Sequence, residues 1–223
     1  MTTLTNVCTH GGEADPPGAR LIPDTIPEAK STDKGVSVNF VPDSSKHWFV
    51  FRASYGREDR AADFLINEGI YVYIPKRMAL KTIQGKKKKV MEPLIPNLLF
   101  VYTTKKQAED YIKNTPPLSF LSYYYNHFQT DHLGKNPPLV VPQDEMENFI
   151  LATRNHSEHL LFIDESQCRF KGGEKVLITH GIFEGVIGRV ARVAGQQRVV
   201  VSISSLGLVS TAYIPKPFLK IIE

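Results

Sequence analysis

The chain has 223 residues, 42% of them hydrophobic, with 27 Lys and Arg against 23 Asp and Glu and a formal net charge of +4. That size suits one or two globular domains. No apolar run approaches the ~20 residues that cross a bilayer, no basic stretch leads into an apolar one at the start, and the cysteines, Cys8 and Cys168, fall in a predicted tail and a predicted linker. A membrane span, a secretory signal, a disulfide framework and a zinc site are therefore not indicated, and a soluble cytoplasmic protein is expected. The mild positive excess permits contact with nucleic acid without demanding it.

Residues 1–46 carry Gly, Pro, Thr and Asp without sustained periodicity, as in Gly11-Gly12-Glu13-Ala14-Asp15-Pro16-Pro17-Gly18. Such a segment buries too little apolar area to offset the entropy of ordering it, so a largely disordered extension is expected, in which 36–41 could dock as a short strand. A first folded domain is expected over 47–153. It opens on the apolar strand His47-Trp48-Phe49-Val50-Phe51-Arg52-Ala53, and Gly56 supplies a permissive turn. In the helix that follows, Ala61, Ala62, Phe64, Leu65 and Ile66 share one side, while Glu58 and Asp59 complement the helix dipole in the first turn. Gly69 ends the helix and 71–75 reads as a strand. Lys76, Arg77, Lys81, Lys86, Lys87, Lys88 and Lys89 then flank a hairpin tip at Gly85, with no acidic residue between Lys76 and Lys89. These cations either meet a polyanion or keep a solvated edge from aggregating.

Pro93-Leu94-Ile95-Pro96-Asn97 is a proline-stiffened corner leading into the apolar run 98–102, which belongs in the middle of a sheet because both of its faces are apolar. Thr104 is predicted to cap a helix over Lys105–Lys113, 120–125 to form a strand whose tyrosines either pack or stack on bases, and 127–138 to form a polar loop. A further helix has Met146, Phe149, Ile150 and Leu151 as its apolar side. Residues 154–171 read as a linker, although 160–163 is too apolar to be freely solvated. Over 172–223, short β-branched runs punctuated by glycine predict a small β-barrel. Helices around a central sheet, followed by this second unit, give an α+β chain.

No Gly-rich phosphate loop, nucleophile elbow, or His paired with Cys or Ser stands in a recognisable local context. His156 and His159 are three apart, yet no third ligand occurs at a recognisable spacing. A binding module is expected rather than an enzyme, with no cofactor and no metal.

The strand Trp48-Phe49-Val50, Gly56 ahead of the first helix, and Pro93-Leu94-Ile95-Pro96-Asn97-Leu98-Leu99-Phe100-Val101 together resemble the NusG family of transcription elongation factors. Gly173, Val176, Ile178, Gly181, Phe183, Gly188 and Val190 resemble the KOW motif that follows in that family. The resemblance implies an α+β fold made of a NusG-type α/β sandwich domain plus a small C-terminal KOW β-barrel. It implies an apolar depression for the clamp of RNA polymerase, lined by Trp48, Ile95, Leu98 and Phe100, with Ile95 and Leu98 aliphatic where the family usually has rings. It implies contact with non-template DNA or leader nucleic acid through Ser54, Tyr55, Arg57 and Arg60. The two arginines read equally as surface partners of Glu58 or Asp63. Ile182 and Phe183 would meet a small-subunit ribosomal protein or the termination factor Rho. A monomer is expected. Asn97 in place of the general factor's Gly, the added N-terminal segment and Ala212-Tyr213-Ile214-Pro215 are most similar to UpxY-type antiterminators of capsular polysaccharide operons. An operon-specific positive regulator is therefore expected, a general NusG-like factor or a ribosome- or RNA-associated KOW protein without a polymerase role being the alternatives.

Overall fold

The computed structural model describes residues 43–222, so the expectation of a disordered extension falls almost wholly outside the described residues. The first part of the chain is built from β1 (His47–Ala53), α1 (Glu58–Asn67), β2 (Tyr71–Tyr73), β3 (Lys76–Ile83), β4 (Lys86–Pro93), β5 (Leu98–Thr103), α2 (Lys105–Lys113), β6 (Leu121–Tyr123), β7 (Val140–Val141) and α3 (Gln143–Thr153). The central sheet runs β2-β5-β1-β6, with β7 also pairing to β1, and every pairing is antiparallel. β5 lies in its middle and all six of its residues are buried, as an unbroken apolar run requires.

The period of two in the strands sorts the side chains into two layers. Phe49, Phe51, Val72, Leu99 and Val101 pack with Ala61, Ala62 and Leu65 of α1 and Ala108 of α2. Trp48, Val50, Tyr71, Tyr73, Leu98 and Phe100 turn the other way, toward Met146, Phe149 and Ala152 of α3. Helices on both faces make this part a sandwich. α2 begins at Thr104, whose hydroxyl accepts from the Gln107 amide in a capping box.

The second part consists of β8 (Leu161–Ile163), β9 (Arg169–Ile178), β10 (Ile187–Val193), β11 (Gln196–Ile203), β12 (Gly207–Tyr213) and β13 (Leu219–Ile221), ordered β13-β9-β10-β11-β12-β8. Two differences from the sequence reading stand out. Leu161–Ile163, inside the expected linker, pairs with β12 and so belongs to this sheet. The expected small barrel is an antiparallel sheet whose end strands β13 and β8 are not paired with each other, with register shifts where β9 passes Arg189–Ala191 of β10 and where β12 passes Arg198–Val200 of β11.

The two parts share one apolar cluster, in which Val176, Phe183, Val186, Val199 and Val201 join Met146, Phe149 and Ala152. Polar groups fix the register of the docking. The Asn148 side chain donates to the Ile187 carbonyl at 2.7 Å and accepts from the Ile187 amide at 2.9 Å. The Glu145 carboxylate accepts from the Ser204 amide at 2.8 Å and its hydroxyl at 2.6 Å. Asn148 thereby does what a neighbouring strand would do at the end of β10.

Candidate nucleic-acid interface

After β1 the chain turns through Ser54, Tyr55 and Gly56 into α1. Tyr55 and Gly56 are both left-handed, with φ of 63° and 64°. For an L-residue with a side chain that conformation costs roughly 1–2 kcal/mol. Its effect here is to throw the Tyr55 ring into solvent, 92% exposed. Asn97, at the corner before β5 and itself left-handed at φ 63°, reaches the turn: its Oδ1 accepts from the Gly56 amide at 2.9 Å and its carbonyl from the Ala53 amide at 2.8 Å. Asn is among the few residues at ease in that region.

Arg57 donates from Nε to the Ser54 carbonyl at 2.9 Å. Its guanidinium carbon lies 4.2 Å from the centre of the Phe120 ring and 5.5 Å from that of Tyr55, and Arg60 stands 5.7 Å from Phe120. Among the described residues no ion pair involves Arg57 or Arg60. Of the two readings of these arginines, pairing with Glu58 or Asp63 is therefore not what the structure has. Glu58 points inward and is buried, with Oε2 lacking a hydrogen-bond partner among the described residues. Rings and cations side by side can stack on a base and neutralise a phosphate. Phe120 escaped the sequence reading, because a ring inside an apolar run looks like core and nothing local says that it supports two arginines.

The β3–β4 hairpin forms a two-stranded sheet apart from the central one, with its tip at Gln84 and Gly85, φ 51° and 74°, the dihedral signs of a tight primed turn. Its root is tied to the rest. Lys76 pairs with Asp59 of α1 at 2.9 Å, one residue from Arg60, and Arg77 donates to the Leu160 carbonyl at 3.0 Å. His156 takes part here too, its carbonyl accepting from the Met78 amide at 2.9 Å and its Nδ1 lying 3.1 Å from the Lys76 carbonyl. Glu92 lies between Lys81 at 2.9 Å and Arg77 at 3.0 Å, and the Lys81 ammonium, with Arg77 beside it, holds the Glu92 carboxyl below its usual range.

Lys86, Lys87, Lys88 and Lys89 are all exposed on β4, and strand alternation sets Lys86 and Lys88 on one face and Lys87 and Lys89 on the other. Lys89 pairs with Glu158 at 3.6 Å, whereas Lys86, Lys87 and Lys88 enter no ion pair among the described residues. Changing these three to Gln is expected to lower the slope of log affinity against log salt for a single-stranded oligonucleotide by roughly 2, at about 0.7 per phosphate. A salt titration of binding reads this directly, and an unchanged slope would leave the lysines as solvated edge residues.

The remaining predicted site residues are placed differently. Trp48, Ile95, Leu98 and Phe100 come together, but in the interior: Ile95 and Leu98 are 5% and 6% exposed, and Trp48 and Phe100 less. The physical reason is α3. Phe149 sets its ring 5.3 Å from that of Phe100, and Gln143 accepts from the Trp48 indole at 2.9 Å. Ile182 and Phe183, the pair expected to meet a partner, are placed differently from each other, with Ile182 64% exposed and Phe183 buried at 2% in the cluster that joins the two parts. Among the described residues no three His, Cys, Asp or Glu side chains gather to hold a metal, and no helix is long and apolar enough to cross a membrane.

An α/β sandwich bearing a ring-and-arginine cluster and a lysine hairpin, joined to an antiparallel sheet, presents cationic side chains to solvent at two places. Residues 46–150 match the family described as "Transcription termination factor nusG". NusG family proteins are non-enzymatic transcription factors that bind RNA polymerase. Among solved structures the chain is similar to "Domain interaction in Thermotoga maritima NusG", at 18% identity over 80% of this chain and 98% of that one, with a TM-score of 0.37. No curated protein matches.

Proposed function

We propose that this chain is a transcription elongation and antitermination factor that acts on RNA polymerase in the cytoplasm and suppresses pausing or termination. The observation that carries the reading is the match to the NusG family over 46–150. Its finer points rest on the resemblance of particular residues. Non-template DNA or leader nucleic acid is met by Ser54, Tyr55, Arg57 and Arg60 and by the hairpin lysines Lys86 to Lys89. The clamp of the polymerase is met through Ile95 and Leu98, with Trp48 and Phe100 behind them. Since α3 and the second sheet complete the cluster around those four residues, contact through them requires that packing to open. Phe183 faces the same condition, while Ile182 is already accessible to a small-subunit ribosomal protein or Rho. The corner Pro93-Leu94-Ile95-Pro96-Asn97 supports the operon-specific branch, serving polysaccharide biosynthesis operons as a monomer.

The test is recruitment of the purified full chain to immobilised elongation complexes at moderate salt, together with read-through of a terminator downstream of the chain's own leader sequence. Retention and raised read-through are expected. Retention on a complex with an unrelated leader to the same degree would move the reading to a general factor. Binding to small ribosomal subunits with none to polymerase would replace it by a ribosome-associated role.

A further inference from the structure

The turn that carries Tyr55 poses a physical question. Two successive residues are left-handed, and the first bears a ring that is 92% exposed, with the Arg57 guanidinium 5.5 Å from its centre. The Ser54 amide donates to the Phe120 carbonyl at 3.1 Å and Arg57 Nε donates to the Ser54 carbonyl, which fixes both flanks. Between those flanks, the Gly56 amide has one partner, the side-chain oxygen of Asn97. The left-handed backbone at 97 would suit glycine at least as well. What Asn adds is the oxygen, aimed across to a turn 41 residues earlier in the chain.

We propose that Asn97 is a positioning residue for nucleic acid. Its carboxamide holds the Tyr55–Gly56 turn so that the Tyr55 ring and the Arg57 guanidinium form a stacking cradle before an unpaired base arrives. This rests on the nucleic-acid reading of that cluster and adds to it the group that makes the cradle rigid. The hydrogen bond is exposed, so water replaces Asn97 when it is lost and fold stability changes little. The loss is felt on binding, because a loosened turn must be ordered at that moment rather than beforehand. Asn97 also heads β5, whose first residue Leu98 is among those proposed to face the polymerase, so one residue ties the geometry of both surfaces together.

The experiment uses the full chain, a fluorescent short single-stranded oligodeoxynucleotide, and the variants Asn97→Gly, Asn97→Asp and Arg57→Ala. Asn97→Gly keeps the left-handed backbone and removes only the acceptor. It is expected to weaken binding about tenfold, the size of ordering one residue's backbone on binding. Its salt slope should match the wild type, since no cation is lost. Arg57→Ala should lose affinity and lower the slope by about 0.7. Hydrogen exchange at the Gly56 amide should speed up in Asn97→Gly and stay slow in Asn97→Asp, which keeps an acceptor, while amides of β1 and β5 are unchanged in both. If the wild-type chain does not bind the oligonucleotide, the reading of the cluster and the role of Asn97 fall together. If it binds, Arg57→Ala behaves as stated and Asn97→Gly binds like wild type, the positioning role alone is overturned. Faster exchange throughout β1 and β5 in Asn97→Gly would likewise overturn it, by making Asn97 a stability residue.

Discussion

Phe149→Ala is expected to lower folding stability by about 3–5 kcal/mol, the range for deleting a fully buried ring whose site cannot collapse. Phe149 has no exposed surface and sits edge-on to Tyr73, with ring centres 6.1 Å apart, and tilted against Phe100 at 5.3 Å. Those partners stand on two adjacent strands whose backbones are locked by pairing, so they cannot move in to fill the gap. Thr153, one helical turn on, donates its hydroxyl to the Phe149 carbonyl and shares a hydrogen bond with the buried Tyr73 phenol, which burial pushes well above its usual pKa. Loosening α3 therefore also strains a buried polar contact. Trp48 is the single tryptophan and lies in the same layer, so urea unfolding followed by its fluorescence reports on this site. A loss below about 1 kcal/mol would mean that α3 is not seated on the sheet as described. Because α3 also carries Asn148 and Glu145, the variant should weaken the hold on the second sheet as well.

Gly188→Ala is expected to cost about 3 kcal/mol, the upper part of the range for overpacking, and to act first on the second sheet. A Cβ on Gly188 would stand 2.5 Å from the Val200 carbonyl oxygen and 2.6 Å from Val199 Cγ1. The first of these is backbone, held in the β10–β11 ladder through the Arg189 and Val200 pair, so relief requires parting the strands. Two-dimensional NMR of the variant should show loss of dispersed signals from 169–221 with those of 47–153 kept. Limited proteolysis should release the first part intact. Unchanged melting would be incompatible with the β10–β11 register. Where the second sheet is lost, Phe183 and its neighbours no longer complete the shared cluster, and polymerase retention by the variant then shows whether that cover limits binding.

Much of this arrangement was legible in the residues. The runs at 47–53 and 98–102 carry apolar side chains on both faces, and both became inner strands of one sheet. Thr104 as a cap announced α2, and Gly85 marked the hairpin tip. Trp48, Ile95, Leu98 and Phe100, grouped at first only by the resemblance, lie in one apolar cluster. What escaped was whatever depends on a distant partner. Leu161–Ile163 looked too apolar for a linker, yet only the position of β12 gives it a strand to pair with. Phe183 reads as a loop ring, and only the tertiary structure puts it in the cluster that also holds Phe149.

The amino-acid order by itself determined most of the elements, their apolar faces, the cationic hairpin and the resemblance on which the family reading began, because propensity, periodicity and charge act over a few residues. Tertiary structure alone decided that the second sheet is open and docked on α3, that the four apolar residues are covered, that Arg57 rests on Phe120 rather than on a carboxylate, and that Asn97 reaches Gly56. Each of these is a contact between segments tens of residues apart. Whether such a contact forms is settled by the competition among all surfaces that could bury one another, and no local pattern carries that information.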